Sequence, residues 1–229
     1  MPKHSLFFAA TLLGATACVV TLLSATVSAQ SVCLPAPRLL TTFPMGGRIG
    51  TSFDVKITGD FLEDAEELTF SHHAIRAIPK VDDKGLPVAN VYVVTIDGDC
   101  PSGIHEARVM TRLGLSTSRA FNASTLAENH PAAANTSLAS AVTLELNSIC
   151  NAVMTRQAVD YYSFEVSQGQ RVVVDCAAKG VDSKLKPVLI VADEKGADLQ
   201  VERRGGTIDF TAPETGKYVV KVHDLTFTG

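Results

Sequence analysis

Apolar and polar residues alternate along most of the chain after residue 50. Phe53, Val55 and Ile57 alternate with charged or polar residues up to Gly59-Asp60, where the run stops. This period of two is typical of half-buried strands, and the runs recur at the short spacing of a β-sandwich. The strand-like runs are 53–57, 68–71, 75–81, 91–96, 105–112, 115–121, 142–146, 161–166, 171–176, 188–192, 208–211 and 218–222. The pattern predicts an all-β protein.

The stretch VDYYSFEVSQGQRVVVD, residues 159–175, is the clearest of these patterns. Tyr162, Phe164 and Val166 alternate with polar residues, the pair Gln168-Gly169 follows, and a valine run begins at Val172. We interpret the stretch as a β-hairpin in which the first three residues form one core-facing row. Tyr161, Ser163 and Glu165 would then lie on the opposite face.

A change in composition divides the chain. From Asn122 the residues are mostly Ala, Asn, Thr and Ser, and few of them could contribute to a core. This favours a linker or a loosely packed strand between two units. We therefore predict two tandem β-sandwich domains, residues 30–122 and 138–229, joined by a linker at 123–137.

The N-terminus has the features of an export signal. Lys3 precedes an uncharged apolar run from Leu6 to Leu23, and Val27-Ser28-Ala29 is a small-x-small cleavage site. This pattern predicts a signal peptide at residues 1–29 and a secreted, periplasmic or surface location. The alternative is a retained membrane anchor, because the apolar run approaches a spanning length.

The net charge and the number of cysteines limit the classes of binding partner and indicate whether disulfides form. The net charge is −4, without a basic cluster, which argues against nucleic acid or an anionic membrane as a partner. Four of the five cysteines follow the signal: Cys33, Cys100, Cys150 and Cys176. If each domain folds as a unit, the expected disulfides are Cys33–Cys100 and Cys150–Cys176. The alternative is four buried, unpaired thiols.

Three segments of the second unit carry a family resemblance. They are DYYSFEVSQGQRVVVDCAA, LKPVLIVADEKGADL and IDFTAPETGKYVVKVHD. From about Leu138 to Gly229 the chain resembles the pre-peptidase C-terminal domain. The resemblance implies a small jelly-roll-like β-sandwich, appended to secreted proteases and other exported proteins and not itself a protease. Relatives continue into one more strand, so we expect the domain to lack its last strand here.

The first unit has a resemblance of its own. The segments TTFPMGGRIGTSFDVKITGDFLEDAEELTF and CPSGIHEARVMTRLGLSTSRAF are similar to the immunoglobulin-like modules of plexins and transcription factors. The two units in this order resemble a secreted architecture of planctomycete-type bacteria. The resemblance implies an immunoglobulin-like sandwich followed by the jelly-roll-like one.

Catalytic patterns do not emerge from the sequence. There is no Gly-x-Ser-x-Gly, and the glycine pairs do not open helices. His72 and His73 are adjacent, and on a strand their side chains would face opposite sides, so we interpret them as solvated loop histidines. His105, His130 and His223 are isolated in the sequence. The prediction is that this chain is not an enzyme and needs no cofactor.

Calcium is the one metal that the resemblance raises. Collagen-binding relatives coordinate calcium through an acidic, Asn-rich stretch before the first strand of the domain. The corresponding stretch here keeps Glu128, Asn129 and Asn135 but lacks the second acid. Because calcium prefers six to eight oxygen ligands, we favour a polar linker over a metal site at these three residues.

The resulting functional hypothesis is a non-catalytic exported module. It would adhere to an extracellular polymer, matrix or polysaccharide, or to a partner protein domain, through exposed side chains such as Tyr161, Arg203 and Arg204. The alternative is an accessory region or fragment of a secreted hydrolase whose catalytic domain lies outside this chain. The sequence leaves the ligand and the oligomeric state open.

Overall fold

The structure, a computed structural model, describes residues 34–131, 133–204 and 206–227. The predicted signal peptide and Cys33 lie outside the described residues. Strands dominate the described chain, and its helical elements are two 3₁₀ turns, Leu138–Ser140 and Lys179–Val181. The all-β prediction is confirmed. Within the described ranges, no helix has the length and apolar character needed to cross a membrane.

Two sheets built from residues 38–124 form the first sandwich. The strands are β1 Arg38–Phe43, β2 Gly46–Arg48, β3 Ser52–Asp60, β4 Ala65–Phe70, β5 Ile75–Val81, β6 Pro87–Ile96, β7 Gly103–Thr111, β8 Gly114–Leu115 and β9 Arg119–Ser124. One sheet has the strand order β1-β3-β6-β5, and the other has the order β2-β9-β7-β4, with β8 added to β7. The predicted strand 115–121 is therefore two separate strands.

The core of the first sandwich gathers around Phe121. Its ring is fully buried and lies 4.9 Å from the ring of Phe70 and 6.4 Å from that of Phe53, centroid to centroid. Val55 and Ile57 of β3 pack into the same core, as the alternating pattern predicts. The opposite residues of β3, such as Lys56, are exposed.

The strands of the second sandwich are β10 Ala127–Asn129, β11 Val142–Thr143, β12 Ser148–Cys150, β13 Asp160–Val166, β14 Arg171–Asp175, β15 Pro187–Asp193, β16 Asp198–Glu202, β17 Thr207–Thr211 and β18 Gly216–Asp224. Five of them form a sheet with the order β11-β13-β18-β15-β16. Strands β14 and β17 form a separate antiparallel pair, and β10 pairs with β12 in parallel. A second core cluster, centred on Phe164, Phe210 and Tyr218, fills this sandwich.

The predicted hairpin at 159–175 is wrong. Strand β13 pairs with β18, and β14 pairs with β17 in the other sheet. The Gln168-Gly169 turn, with Gly169 at φ 76°, therefore crosses between sheets. Two strands that pair in one sheet bury alternate residues, and so do two strands that face each other across a core. Alternation in the sequence therefore could not distinguish a hairpin from a connection between two sheets.

The core-facing row of β13 is confirmed. Tyr162, Phe164 and Val166 are all buried in the second core. Ser163, on the opposite face, is also fully buried, and its hydroxyl lies 3.3 Å from that of Thr143. The outer face of this sheet is thus partly covered, and only a portion of it is available to a ligand.

The segment predicted as a linker contains ordered strand structure. Strand β9 extends into it as far as Ser124, and β10 follows within it. Farther along the chain, the Asp182 carboxylate accepts a 2.9 Å hydrogen bond from the backbone N–H of Ala120. The two sandwiches are therefore in direct contact.

Candidate ligand-binding face

One row of side chains crosses four strands on the outer face of the five-stranded sheet. Tyr161 of β13 is opposite Lys221 of β18, Lys221 is opposite Ile190 of β15, and Ile190 is opposite Val201 of β16. Directly opposed residues of neighbouring strands point to the same face. Tyr161 and Val201 therefore lie at the two ends of one continuous row.

A groove opens at the Val201 end of this row. Its volume is about 240 Å³. The lining residues are Val188, Ile190, Asp198, Val201, Arg203, His223 and Leu225. Val201 and Leu225 are 42% and 50% exposed, so aliphatic surface is presented to solvent at this position.

The charged side chains at the groove differ in whether they have a partner of opposite charge. Lys221 Nζ donates to Asp198 Oδ1 at 2.6 Å and to the carbonyl of Gly196 at 2.7 Å. Arg203, by contrast, forms none of the ion pairs found among the described residues. The groove therefore contains one carboxylate, that of Asp198, already paired with Lys221, and one guanidinium, that of Arg203, without an ion-pair partner in the part of the chain that the structure describes.

An aromatic pair lies at one end of the groove. The rings of His223 and Phe227 stack at 4.5 Å with an interplanar angle of 7°. His223 Nδ1 is 2.9 Å from the carbonyl oxygen of Asp224, and because a carbonyl only accepts, Nδ1 is the donor. The stacking and this bond fix the plane of the His223 ring.

The structure brings two of the three predicted surface residues to this face. Tyr161 lies in the row and Arg203 lines the groove. Arg204 is exposed but does not line it, and its backbone N–H donates to Glu202 Oε1 at 2.6 Å. The aliphatic lining residues were not predicted as a site, because they belong to separate strands that only the fold brings together.

The three residues considered for calcium are held by protein partners. Glu128 Oε2 accepts from Asn151 Nδ2 at 2.5 Å, and the Asn129 carbonyl accepts from the backbone N–H of Asn151. Asn135 Nδ2 donates to the Tyr161 carbonyl at 3.0 Å. Of their groups, only Glu128 Oε1 is a buried, unpartnered side-chain oxygen.

This arrangement does not fit a calcium site. No three histidine, cysteine, aspartate or glutamate residues in the described part of the chain come together in a way that could hold a metal ion. A calcium ion needs several converging oxygens, whereas these residues supply a single carboxylate, one oxygen of which already accepts from Asn151. We therefore derive no role for calcium from them.

Burial of Glu128 gives a testable effect on stability. Burial raises the pKa of its carboxyl, and the hydrogen bond from Asn151 only partly opposes this. A raised folded-state pKa means that stability is greatest below the unfolded pKa and decreases as pH rises through the folded value. We expect E128Q to raise Tm at pH 7, with a gain that shrinks towards pH 4.

Thermal unfolding followed by circular dichroism at several pH values measures this effect. The control is E145Q, because Glu145 is an exposed glutamate. A Tm gain for E128Q that is equal at pH 4 and pH 7 would contradict the assignment.

The predicted Cys150–Cys176 disulfide is not formed. Cys100, Cys150 and Cys176 are free thiols, and Cys33, the predicted partner of Cys100, lies outside the described residues. Cys150 and Cys176 each pack against the second core as small apolar side chains. Burial raises the pKa of both thiols to about 11.

These thiols should be slow to react in the folded protein. The thiolate is the reactive form, and a pKa near 11 leaves about two orders of magnitude less thiolate at neutral pH than a pKa of 9.0. We expect iodoacetamide to label Cys150 and Cys176 slowly in buffer and rapidly in guanidinium chloride. Peptide mass spectrometry measures both rates, and equal labelling in the two solvents would contradict the burial.

The adjacent residues His72 and His73 lie close to His105 and Cys100 at one end of the first sandwich. The rings of His72 and His73 stack at 4.5 Å. His72 also lies 5.6 Å from His105, centroid to centroid. His72 and His73 occupy a bend between β4 and β5, in agreement with their interpretation as loop histidines.

Cys100 and His105 resemble a nucleophile–base pair in distance alone. Cys100 Sγ is 3.8 Å from His105 Nε2, but Nε2 is also 2.9 Å from the Pro101 carbonyl oxygen. Because that oxygen can only accept, Nε2 carries a proton and cannot take one from the thiol. Burial, with Asp99 and Asp97, raises the pKa of the Cys100 thiol, which is the opposite of nucleophile activation.

Comparison with known families accounts for part of the second sandwich. Residues 158–224 match the family model of the bacterial pre-peptidase C-terminal domain. The match extends from the start of β13 to the end of β18 and so includes most of the groove. The resemblance of this unit to the pre-peptidase C-terminal domain is confirmed. The immunoglobulin-like module and the planctomycete-type origin stay predictions.

Comparison with whole proteins adds little. No curated protein matches the chain. Among solved structures, one similar chain is the Bacteroides ovatus mixed-linkage glucan utilization locus protein SGBP-B in complex with a mixed-linkage heptasaccharide, at 10% identity and a TM-score of 0.30. The alignment covers 81% of this chain and 39% of that one. A TM-score of 0.30 is too low to infer a ligand of this chain from that structure.

Proposed function

We propose that the chain is a non-catalytic exported module that binds an extracellular polymer or a partner protein domain. The binding surface is the outer face of the five-stranded sheet, from Tyr161 to the groove beside Val201. The observation that carries the proposal is the groove itself, which is lined by four aliphatic side chains and by Arg203, whose guanidinium has no ion-pair partner among the described residues. Apolar surface with an unpaired charge beside it is typical of interaction sites.

Two further points support a role in binding. Six of the seven residues that line the groove lie in the part of the chain that matches the pre-peptidase C-terminal domain. The Cys100–His105 pair, which has the spacing of a catalytic pair, has the wrong protonation state for one. The alternative function is that of an accessory region of a secreted hydrolase whose catalytic domain lies outside this chain. An accessory binding module of that kind would use the same face of the sheet.

Retention on polymers tests the function. The full chain, secreted from a bacterial host and purified, is passed over immobilised collagen, casein, insoluble polysaccharides and cell-wall material. We expect retention on at least one of them, no release of product, and loss of retention in V201D, which places a carboxylate in the aliphatic lining. The control L199D alters an equally exposed residue of the same strand that does not line the groove.

Turnover that co-purifies with the chain and is abolished by H105A would overturn the proposal. So would equal retention of wild type and V201D on every polymer.

A further inference from the structure

We propose that the groove between β15, β16 and the end of β18 receives an extended segment of a partner protein, in which an apolar side chain lies next to Asp or Glu. This inference rests on the proposed function and narrows its ligand from polymers in general to a polypeptide of stated chemistry. It follows from the lining, the charges and the size of the groove.

The lining favours an apolar side chain. Four of its seven residues are aliphatic: Val188, Ile190, Val201 and Leu225. A sugar ring needs several hydrogen-bonding groups directed at its hydroxyls, or a broad aromatic surface, to replace the water that it loses. An aliphatic side chain needs neither and gains free energy by leaving water.

The polar members of the lining favour a neighbouring carboxylate. Asp198 already accepts from Lys221, and His223 Nδ1 already donates to the Asp224 carbonyl. Arg203 is the lining residue whose charge has no ion-pair partner among the residues described. A guanidinium recognises a carboxylate through paired, charge-assisted hydrogen bonds.

The size of the groove agrees with one or two side chains. Its volume of about 240 Å³ is below the roughly 300–1,000 Å³ of pockets that enclose small molecules. It opens on a sheet face, so the backbone of an extended segment can pass over it while one side chain enters. The row continues from the groove to Tyr161, which is partly exposed, so a longer segment could follow it along the sheet.

An array of synthetic peptides tests the inference. Short Gly-Ser peptides carry one central pair in which the first residue is Leu, Phe or Ser and the second is Glu, Gln or Lys. The labelled full chain is applied as wild type, R203E and R204E. Arg204 is the matched control, because it is also exposed and next in sequence but does not line the groove.

We expect wild type to bind Leu-Glu and Phe-Glu roughly tenfold more strongly than Leu-Lys or Ser-Glu. R203E should reverse the preference to Leu-Lys and Phe-Lys, whereas R204E should keep the wild-type order. A reversed preference cannot arise from unfolding, so this readout is independent of stability. Wild-type order in R203E, or the same change in both variants, would overturn the inference.

The outcomes also separate this inference from the proposed function. Retention on polysaccharide that V201D abolishes, combined with a silent array, would overturn the polypeptide ligand and leave the binding function standing. No retention on any polymer and a silent array would overturn both. Binding to the acidic apolar peptides with reversal by R203E would support both.

Discussion

Replacing Phe121 by alanine is expected to lower the free energy of unfolding by about 3–5 kcal/mol, the range for truncating a buried aromatic residue. The Phe121 ring is fully buried and contacts the rings of Phe53 and Phe70. Those two residues come from β3 and β4, which belong to different sheets. The cavity would therefore remove contacts that join the two layers of the first sandwich.

Urea unfolding followed by far-ultraviolet circular dichroism measures this loss. Tryptophan fluorescence cannot be used, because the chain has no tryptophan. In thermal unfolding, the same loss corresponds to a Tm lower by roughly 10 °C for a protein of this size. The control is I104A in β7, because Ile104 is 56% exposed and its truncation leaves no cavity. A loss for F121A no larger than that for I104A would contradict the position of Phe121 between the sheets.

Strand positions could be predicted where one face of a strand is buried. The predicted strand 161–166 is observed as Asp160–Val166, and 75–81 is observed as Ile75–Val81. Both strands bury at least part of one face against a core, and so the sequence alternates. Strand β16, Asp198–Glu202, was not predicted, although Leu199 and Val201 alternate with polar residues, because two apolar positions are too few to distinguish a short exposed strand from a loop.

Strand pairing could not be predicted, because it depends on residues far apart in the chain. Nothing local to β13 indicates that its neighbour is β18 and not β14. The same limit applies to the site. Tyr161 and Arg203 could be identified as exposed side chains, but the groove joins Val188, Val201 and His223 from three strands.

Gly59 has a different role from the turn that the sequence pattern predicts. The sequence pattern favours a strand that stops at Gly59-Asp60, because glycine is common in turns. In the structure, Gly59 lies within β3, opposite Leu39 of β1. Its backbone is extended, so the need for glycine comes from close packing and not from an unusual φ angle.

Replacing Gly59 by alanine is therefore expected to destabilise the protein by about 3 kcal/mol, at the upper end of the usual cost of overpacking. A Cβ at this position would lie 2.1 Å from the backbone oxygen of Arg38 and 2.4 Å from Leu62 Cδ1. The Arg38 oxygen belongs to strand β1 and cannot rotate away as a side chain can. Strand β1 would have to shift, and that would disturb the buried side chain of Leu39.

The matched control is G98A, because a Cβ at Gly98 meets no atom within 4 Å. Urea unfolding should place G98A within about 0.5 kcal/mol of wild type, the usual range for surface substitutions. Hydrogen exchange adds a local readout: amides of β1 and β3 should lose protection in G59A more than those of β13 and β18. Equal stability of G59A and G98A would mean that β1 does not approach Gly59 closely, and it would remove the physical reason for glycine inside this strand.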